Sequence, residues 1–268
     1  MKLTHKLCGA VLLAAVGVAM ATPGITKAAD ENGDNKQFDG EMNIEFSHDT
    51  DKDTDTSRET LTDSDGNSDT EIISGEITRE PVAARFGIRD VTPLDFGARK
   101  AVADGGVREY WAKNYTEPKG VMANNVLVKD GRTDVADHTY TVKAQITTPL
   151  NTMFENEKRE LKGATITYNN IGIKTNVDAG IALSEDSLVA KTGIVVGEGT
   201  QATFVDNKGE AGAPTLKGQG EAYIHFGKLT AEGEQSSEES VKLTIPKDQT
   251  LFQGKYSGVV TWYMENAK

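Results

Sequence analysis

The residues best suited to binding chemistry lie in the last segment of the chain, GKYSGVVTWYMENAK. Trp262 and Met264 fall on one face of a predicted strand, together with Tyr256 and Val260. A tryptophan ring can stack on a sugar ring, and in the same alternation it can pack in a core with its N–H bound to one partner. The residues therefore leave two roles open for Trp262 and Met264: direct contact with a ligand, or packing inside the domain.

A second aromatic group lies in VREYWAKNYTEPKG, where Tyr110, Trp111 and Tyr115 are interspersed with basic residues. The segment is bounded by DGG and PKG, so we predict that it is a loop. Aromatic side chains on a loop are candidates for contact with a carbohydrate or a partner protein. The alternative is that the loop packs its aromatic rings back onto the domain.

An acidic stretch over residues 48–71 raises the question of a calcium site. Four oxygen-bearing residues alternate there as calcium ligands would: Asp63, Asp65, Asn67 and Asp69. The EF-hand order would nevertheless place the first ligand at Leu61, which cannot coordinate a cation. Because the stretch has one aliphatic residue, we interpret it as a solvated spacer and predict neither a bound metal nor a cofactor.

The acidic charge is concentrated near the N-terminus. Residues 29–80 contain 4 basic and 17 acidic residues, whereas residues 81–268 contain 22 basic and 24 acidic ones. A protein that binds duplex nucleic acid needs a basic stripe to neutralise phosphates, and neither part of the chain has that balance. We therefore predict no nucleic-acid partner.

The first residues have the order of a secretory signal peptide. Lys2 and Lys6 precede an apolar stretch over residues 7–21, and small residues follow it. We predict cleavage between Ala28 and Ala29, with the end of residues 19–21 as a second choice. The apolar stretch is too short to span a bilayer comfortably. The processed protein is then secreted, is not inserted in a membrane, and has lost Cys8, the one cysteine of the chain.

Most of the remaining chain consists of short β-type runs separated by Gly, Asn, Asp and Pro clusters. In GEMNIEFS, Met42, Ile44 and Phe46 alternate with polar residues as in a half-buried strand. The pattern predicts an all-β fold, an antiparallel β-sandwich of many short strands, preceded by a signal peptide and an acidic, partly disordered N-terminal segment. We place the signal peptide at residues 1–28, the acidic segment and spacer at 29–81, and the β-sandwich domain at 82–268.

Signatures of catalysis are weak. The four histidines, at positions 5, 48, 138 and 225, do not have metal-ligand spacing. The chain has neither a nucleophile-elbow motif nor a phosphate-binding loop. His225 lies in AYIHFGK, and we predict that it faces solvent on a strand. We expect a protein that is not an enzyme.

The chain contains five segments in this order: IRDVTPLDFGARK, NNVLVKDGR, HTYTVKAQITTPLNTMF, ELKGATITYNN and GKYSGVVTWYMENAK. Their order is similar to that in the WxL-domain cell-surface proteins of low-GC Gram-positive bacteria such as enterococci and lactobacilli. The resemblance covers roughly residues 82–268. The family has two Trp-x-Leu motifs. This chain has Tyr140-Thr141-Val142 and Trp262-Tyr263-Met264 in their places. Tyr140 and Val142 thereby join the candidate binding residues, with core packing as the alternative.

The resemblance implies non-covalent attachment to peptidoglycan at the cell wall and surface. It also implies partner surface proteins, one transmembrane-anchored and another sortase-attached, and a role in adhesion or surface-complex assembly. The alternative is a structural subunit of a surface complex whose main contact is a partner protein and not the wall glycan.

Overall fold

The computed structural model describes residues 37–44, 61–62, 68–82, 84–100, 108–132, 135–209 and 215–266. The predicted signal peptide, with its cleavage site at Ala28 and Ala29, lies outside these residues, as do Phe46 and three of the four candidate calcium ligands, Asp63, Asp65 and Asn67. In the described ranges, no helix has the length and apolar character needed to cross a membrane.

Strands account for nearly all the regular structure of the described chain. In order they are β1 (Gln37–Ile44), β2 (Ile73–Gly75), β3 (Phe86–Val91), β4 (Leu94–Asp95), β5 (Arg108–Trp111), β6 (Tyr115–Glu117), β7 (Gly120–Met122), β8 (Asn125–Asp130), β9 (Tyr140–Phe154), β10 (Glu157–Glu160), β11 (Thr165–Tyr168), β12 (Ile171–Thr175), β13 (Ile194–Val196), β14 (Ala202–Asn207), β15 (Gly220–Phe226), β16 (Val241–Ile245) and β17 (Tyr256–Glu265). Short 3-10 turns lie at Glu185–Ser187, Gly233–Gln235 and Ser237–Glu239. The predicted all-β class is confirmed.

The strands form four sheets. Sheet 1 has the order β10-β9-β17-β1-β4, with β14 also paired to β9; sheet 2 is β13-β11-β16-β5, sheet 3 is β12-β15-β8-β3, and sheet 4 is β2-β7-β6. The β1–β4 pair is parallel, and the other pairs between these strands are antiparallel. Antiparallel neighbours suit short strands joined by tight turns, because such strands need no long crossover connection.

Sheets 1, 2 and 3 share one hydrophobic core. Along β9 the side chains of Tyr140, Val142, Ala144 and Ile146 are buried, whereas those of the intervening residues are half-buried. This is the period-2 pattern expected of a strand with one face against a core. Buried residues of β11, β15 and β17 complete the same cluster, so the alternation read from the sequence identifies the core-facing side of these strands.

The N-terminal part of the folded unit differs from prediction. β1 lies between β17 and β4, and all eight of its residues pair with β17. Met42 of β1 is buried, as predicted. Without β1, the backbone N–H and C=O groups along one edge of β17 would be unpaired, which is costly for a strand in a core sheet. The β domain predicted at residues 82–268 therefore leaves out one strand of sheet 1, which lies in the acidic segment predicted at residues 29–81.

The solvated-spacer interpretation is also wrong where the structure describes that stretch. Leu61 is 5% exposed and packs in a second cluster with Leu127 and Tyr223 of sheet 3 and with Ile72 and Ala123, which adjoin the strands of sheet 4. The backbone N–H of Asp69 donates to the carbonyl oxygen of Leu61. One aliphatic side chain thus anchors this part of the segment, because it fills an apolar site that the domain provides.

Candidate functional site

Trp262 lies at the centre of the core. Its side chain is 1% exposed. Its ring centroid lies 5.7 Å from that of Tyr168, 4.6 Å from that of Phe204 and 6.1 Å from that of Phe226. These partners come from sheets 2, 1 and 3 respectively, so the four rings join three sheets. We call this group of four rings the aromatic core, and such ring pairs add to the stability that burial provides.

The first and third residues of the two Trp-x-Leu-like tripeptides are all buried, whereas the middle residues, Thr141 and Tyr263, are half-buried. Met264, Tyr140 and Val142 are each at most 1% exposed. β17 and β9 are neighbours in sheet 1, and Met264 pairs directly with Val142. The fold therefore brings together two tripeptides that are far apart in the chain. All four candidates are buried in this fold, which favours the packing alternative over direct contact with a ligand.

The polar atoms of the two buried aromatic residues differ in their bonding. The Tyr140 hydroxyl donates a 3.0 Å hydrogen bond to the carbonyl oxygen of Gly218, and burial raises the pKa of this tyrosine well above its ordinary value. The Trp262 indole Nε1–H has no hydrogen-bond partner among the described residues, contrary to expectation. Trp262 is thus held by packing with its neighbours and not by a polar contact of its ring.

The second aromatic group is not a loop. Tyr110 and Trp111 belong to β5, which pairs with β16, and Tyr115 begins β6, which pairs with β7. The segment forms strands because its backbone groups find partners on both sides of the short Ala112–Asn114 connection. The loop prediction is wrong, since Arg108–Trp111 and Tyr115–Glu117 are paired strands and not a continuous irregular segment.

Two of the three aromatic rings in this group are partly covered. The Tyr110 ring lies 5.7 Å from the Arg99 guanidinium carbon. The Tyr115 hydroxyl donates a 2.9 Å hydrogen bond to Glu117 Oε1, and burial together with this carboxylate raises the pKa of Tyr115. Trp111 is different, because 37% of it is exposed. Among the described residues it is the aromatic side chain most available to a ligand.

Trp111 lies on the outward side of sheet 2. Antiparallel register places Trp111 beside Lys242, Lys242 beside Thr167, and Thr167 beside Val195. A second row continues from Glu109 through Thr244 to Thr165. We call this surface the outer face of sheet 2, and its residues are Glu109, Trp111, Thr165, Thr167, Val195, Lys242 and Thr244. Sequence reasoning missed it as a unit, although the polar alternation in GATITYN and SVKLTIP was a signal for its threonines.

Charge on this face is locally paired. Lys242 Nζ lies 2.9 Å from Glu109 Oε1 and 5.3 Å from the centroid of the Trp111 ring. The ammonium group therefore interacts with a carboxylate and with the negative face of an aromatic ring at the same time. Lys242 thereby links the exposed indole of Trp111 to the carboxylate of Glu109 on the same face.

The one described candidate calcium ligand has another partner. Asp69 Oδ2 lies 2.8 Å from Lys174 Nζ. Partial burial opposes ionisation of Asp69, but hydrogen bonds from Lys174 and the Glu71 backbone lower its pKa overall. Glu71 pairs with Lys174 and Lys228. Within the described ranges no group of three or more acidic, His or Cys side chains is arranged to hold a metal ion.

Two histidines, His138 and His225, are buried. His138 Nδ1 lies 2.9 Å from Asp130 Oδ2, and Arg132 donates two further hydrogen bonds to the same carboxylate. His225 is buried in β15, and its Nδ1 lies 2.9 Å from the Gly227 carbonyl oxygen. The prediction that His225 faces solvent is wrong, because β15 is an interior strand of sheet 3 and is covered on both faces.

Residues 34–267 match the family model described as "WxL domain surface cell wall-binding". The match begins just before β1 and continues past the end of β17. It therefore covers nearly the whole chain, including the N-terminal strand that the resemblance read from the sequence left out. No curated protein and no solved structure matches the chain.

Proposed function

Since the chain belongs to the WxL family, whose domain binds the cell wall at the surface, we propose that it is exported and attaches non-covalently to the peptidoglycan of a Gram-positive bacterium. The observation that carries this proposal is the family match over residues 34–267, which includes the strands of all four sheets. The predicted signal peptide at residues 1–28 supports export to that compartment.

The burial of Tyr140, Val142, Trp262 and Met264 supports a structural role for these residues in the attachment. Trp262 and Met264 on β17 lie against β9, and they connect the C-terminal strand to the rest of the core. Replacing them would alter the fold that displays the binding surface. The contact with the wall itself is made by exposed residues of the sheets, since a buried side chain cannot reach a polymer.

Beyond attachment to the wall, we propose a role in adhesion or in the assembly of a surface complex. β13 is an edge strand of sheet 2 and pairs only with β11 among the described strands. Its Val195 is 53% exposed. An edge strand with an exposed aliphatic side chain is suited to strand addition by another surface protein, transmembrane-anchored or sortase-attached.

The proposed role is not enzymatic. Asp130, His138 and His225 could act as acids or bases, but all three are buried and make contacts inside the fold. Asp130 accepts hydrogen bonds from Arg132 and contacts His138, while His225 contacts a backbone carbonyl group. These contacts support the view that these side chains stabilise the fold and do not take part in catalysis.

Co-sedimentation with purified peptidoglycan sacculi, stripped of proteins and teichoic acids, tests the proposal. The mature protein is mixed with sacculi over a salt series, with an unrelated protein of similar acidity as the control. We expect the bound fraction to persist at high salt, because recognition of sugars or stem peptides depends less on charge than ion pairing does. If the protein sediments no more than the control, wall attachment through peptidoglycan is contradicted.

A further inference from the structure

We propose that the outer face of sheet 2 is the surface on which the glycan strand of the wall lies, with Trp111 as the residue that stacks on a sugar ring. This inference rests on the proposed wall attachment and assigns it a location. It differs from the expectation drawn from the two tripeptides, because Tyr140 and Trp262 are buried.

The shape of this face suits an extended polymer. Four strands contribute to it, and one cross-strand row runs from Trp111 on β5 to Val195 on β13. Strands in a sheet lie about 4.8 Å apart, so the row is roughly 14 Å long. Apart from Trp111, Glu109 and Lys242, its side chains are threonines and a valine, which leave a low surface. A short run of linked sugar rings can lie across such a row.

The hydrogen-bonding groups of the face also suit a sugar polymer. The hydroxyl groups of Thr165, Thr167 and Thr244 make no hydrogen bond to another residue of the described ranges. A hydroxyl group both donates and accepts, and sugar hydroxyls need partners of both kinds. An aromatic ring flanked by such groups combines apolar contact with polar contact, as in sites that orient a ligand by a few polar groups.

The charge of the face favours an uncharged strand over a polyanion. Its one cation, Lys242, lies 2.9 Å from the carboxylate of its one anion, Glu109. The pair leaves no surplus positive charge, which a nucleic acid or teichoic acid would need. The sugar hydroxyls of a peptidoglycan glycan are uncharged, so the face complements the glycan strand and not the anionic polymers of the wall.

Other exposed apolar side chains lack this setting. Met153 and Leu216 are 64% and 60% exposed, yet Met153 lies beside a hairpin turn and Leu216 between strands. Neither is an aromatic residue in a row of threonines. Both are therefore useful comparison positions, since they expose apolar area without the arrangement that we assign to glycan binding.

Substitutions on and off the face test the location in the full mature protein. Trp111→Ala removes the ring, and Thr167→Arg places a long charged side chain in the middle of the row. We expect each to weaken binding to sacculi by about tenfold, the effect of losing a central contact residue. Met153→Ala and Thr230→Arg are the matched controls, at exposed positions away from sheet 2. We expect their binding to remain within about twofold of the wild type, as for contacts outside a hot spot.

The outcomes separate this inference from the proposed function. If the wild type does not bind sacculi, wall attachment fails and this inference fails with it. If the wild type binds and both face variants bind equally well with unchanged melting temperatures, only the location is overturned.

A competition experiment checks the occupant. Soluble glycan strands freed of stem peptides by an amidase should displace the bound protein. If isolated stem peptides displace it and glycan strands do not, the glycan assignment is wrong and the peptide part of the wall is the ligand.

Discussion

The two tryptophans of this chain occupy opposite kinds of environment. Trp262 is 1% exposed and contacts three aromatic rings, whereas Trp111 is 37% exposed and contacts one ammonium group. Both lie on strands, so secondary structure does not distinguish them. The difference shows that a tryptophan in the conspicuous C-terminal motif can be buried while one outside the motif is exposed.

The largest expected effect is that of Trp262→Ala. Removing a fully buried indole leaves a cavity among Tyr168, Phe204 and Phe226, and we expect a loss of about 3–5 kcal/mol in the free energy of unfolding. Denaturant unfolding followed by circular dichroism measures this loss. If the stability is unchanged while wall binding falls, Trp262 is a contact residue and the contrast between the two tryptophans is broken.

A double-mutant cycle between Val142 and Met264 tests whether the buried residues of the two tripeptides pack against each other. Met264→Ala alone should cost about 2–5 kcal/mol, since the side chain is buried. Because the two residues are direct cross-strand neighbours, we expect a coupling energy of about 0.5–3 kcal/mol when Val142→Ala is added. Additive effects would instead mean that the two tripeptides pack independently.

Acid should lower the free energy of unfolding through the buried carboxyl group of Asp130. Burial opposes ionisation of Asp130, but hydrogen bonds from Arg132 and His138 lower its pKa below the ordinary value of 3.8. A carboxyl group with a lowered pKa in the folded state stabilises the fold above pH 3.8 and loses that contribution as the pH falls through the folded pKa.

Unfolding free energies measured from pH 6 down to pH 2, for the wild type and for Asp130→Asn, check this expectation. The variant should be less stable at pH 6 and should lose less stability on acidification. An identical pH dependence in both proteins would show that Asp130 does not contribute to the acid sensitivity.

The smallest expected change in stability is that of Trp111→Ala. The side chain is exposed, and its described partner is the Lys242 ammonium group, so we expect a shift within about 0.5 kcal/mol. Thermal melting of the variant beside Met153→Ala gives the comparison. A loss comparable with that of Trp262→Ala would mean that Trp111 belongs to the core, and the exposed site would have to be sought elsewhere.

Much of the fold was predictable because strand alternation is local. The pattern in HTYTVKAQIT identified the buried face of β9, and the final segment was correctly expected to be a strand. The role of residues 61–71 was not predictable, since a single leucine among acidic residues does not reveal an apolar site formed by Ile72, Leu127 and Tyr223. Likewise, nothing near His225 indicated that β12 and β8 flank its strand.

The candidate site was predictable as a set of residue types but not as a surface. By itself the sequence determined the β class, the strand faces, the acidic N-terminal part and the family resemblance, because each depends on the identity and order of nearby residues. Only the tertiary structure decided which tryptophan is exposed, that Val142 and Met264 are neighbours, and that β1 completes sheet 1. The physical reason is that alternation places side chains on a common face, whereas burial depends on which other sheet packs against that face.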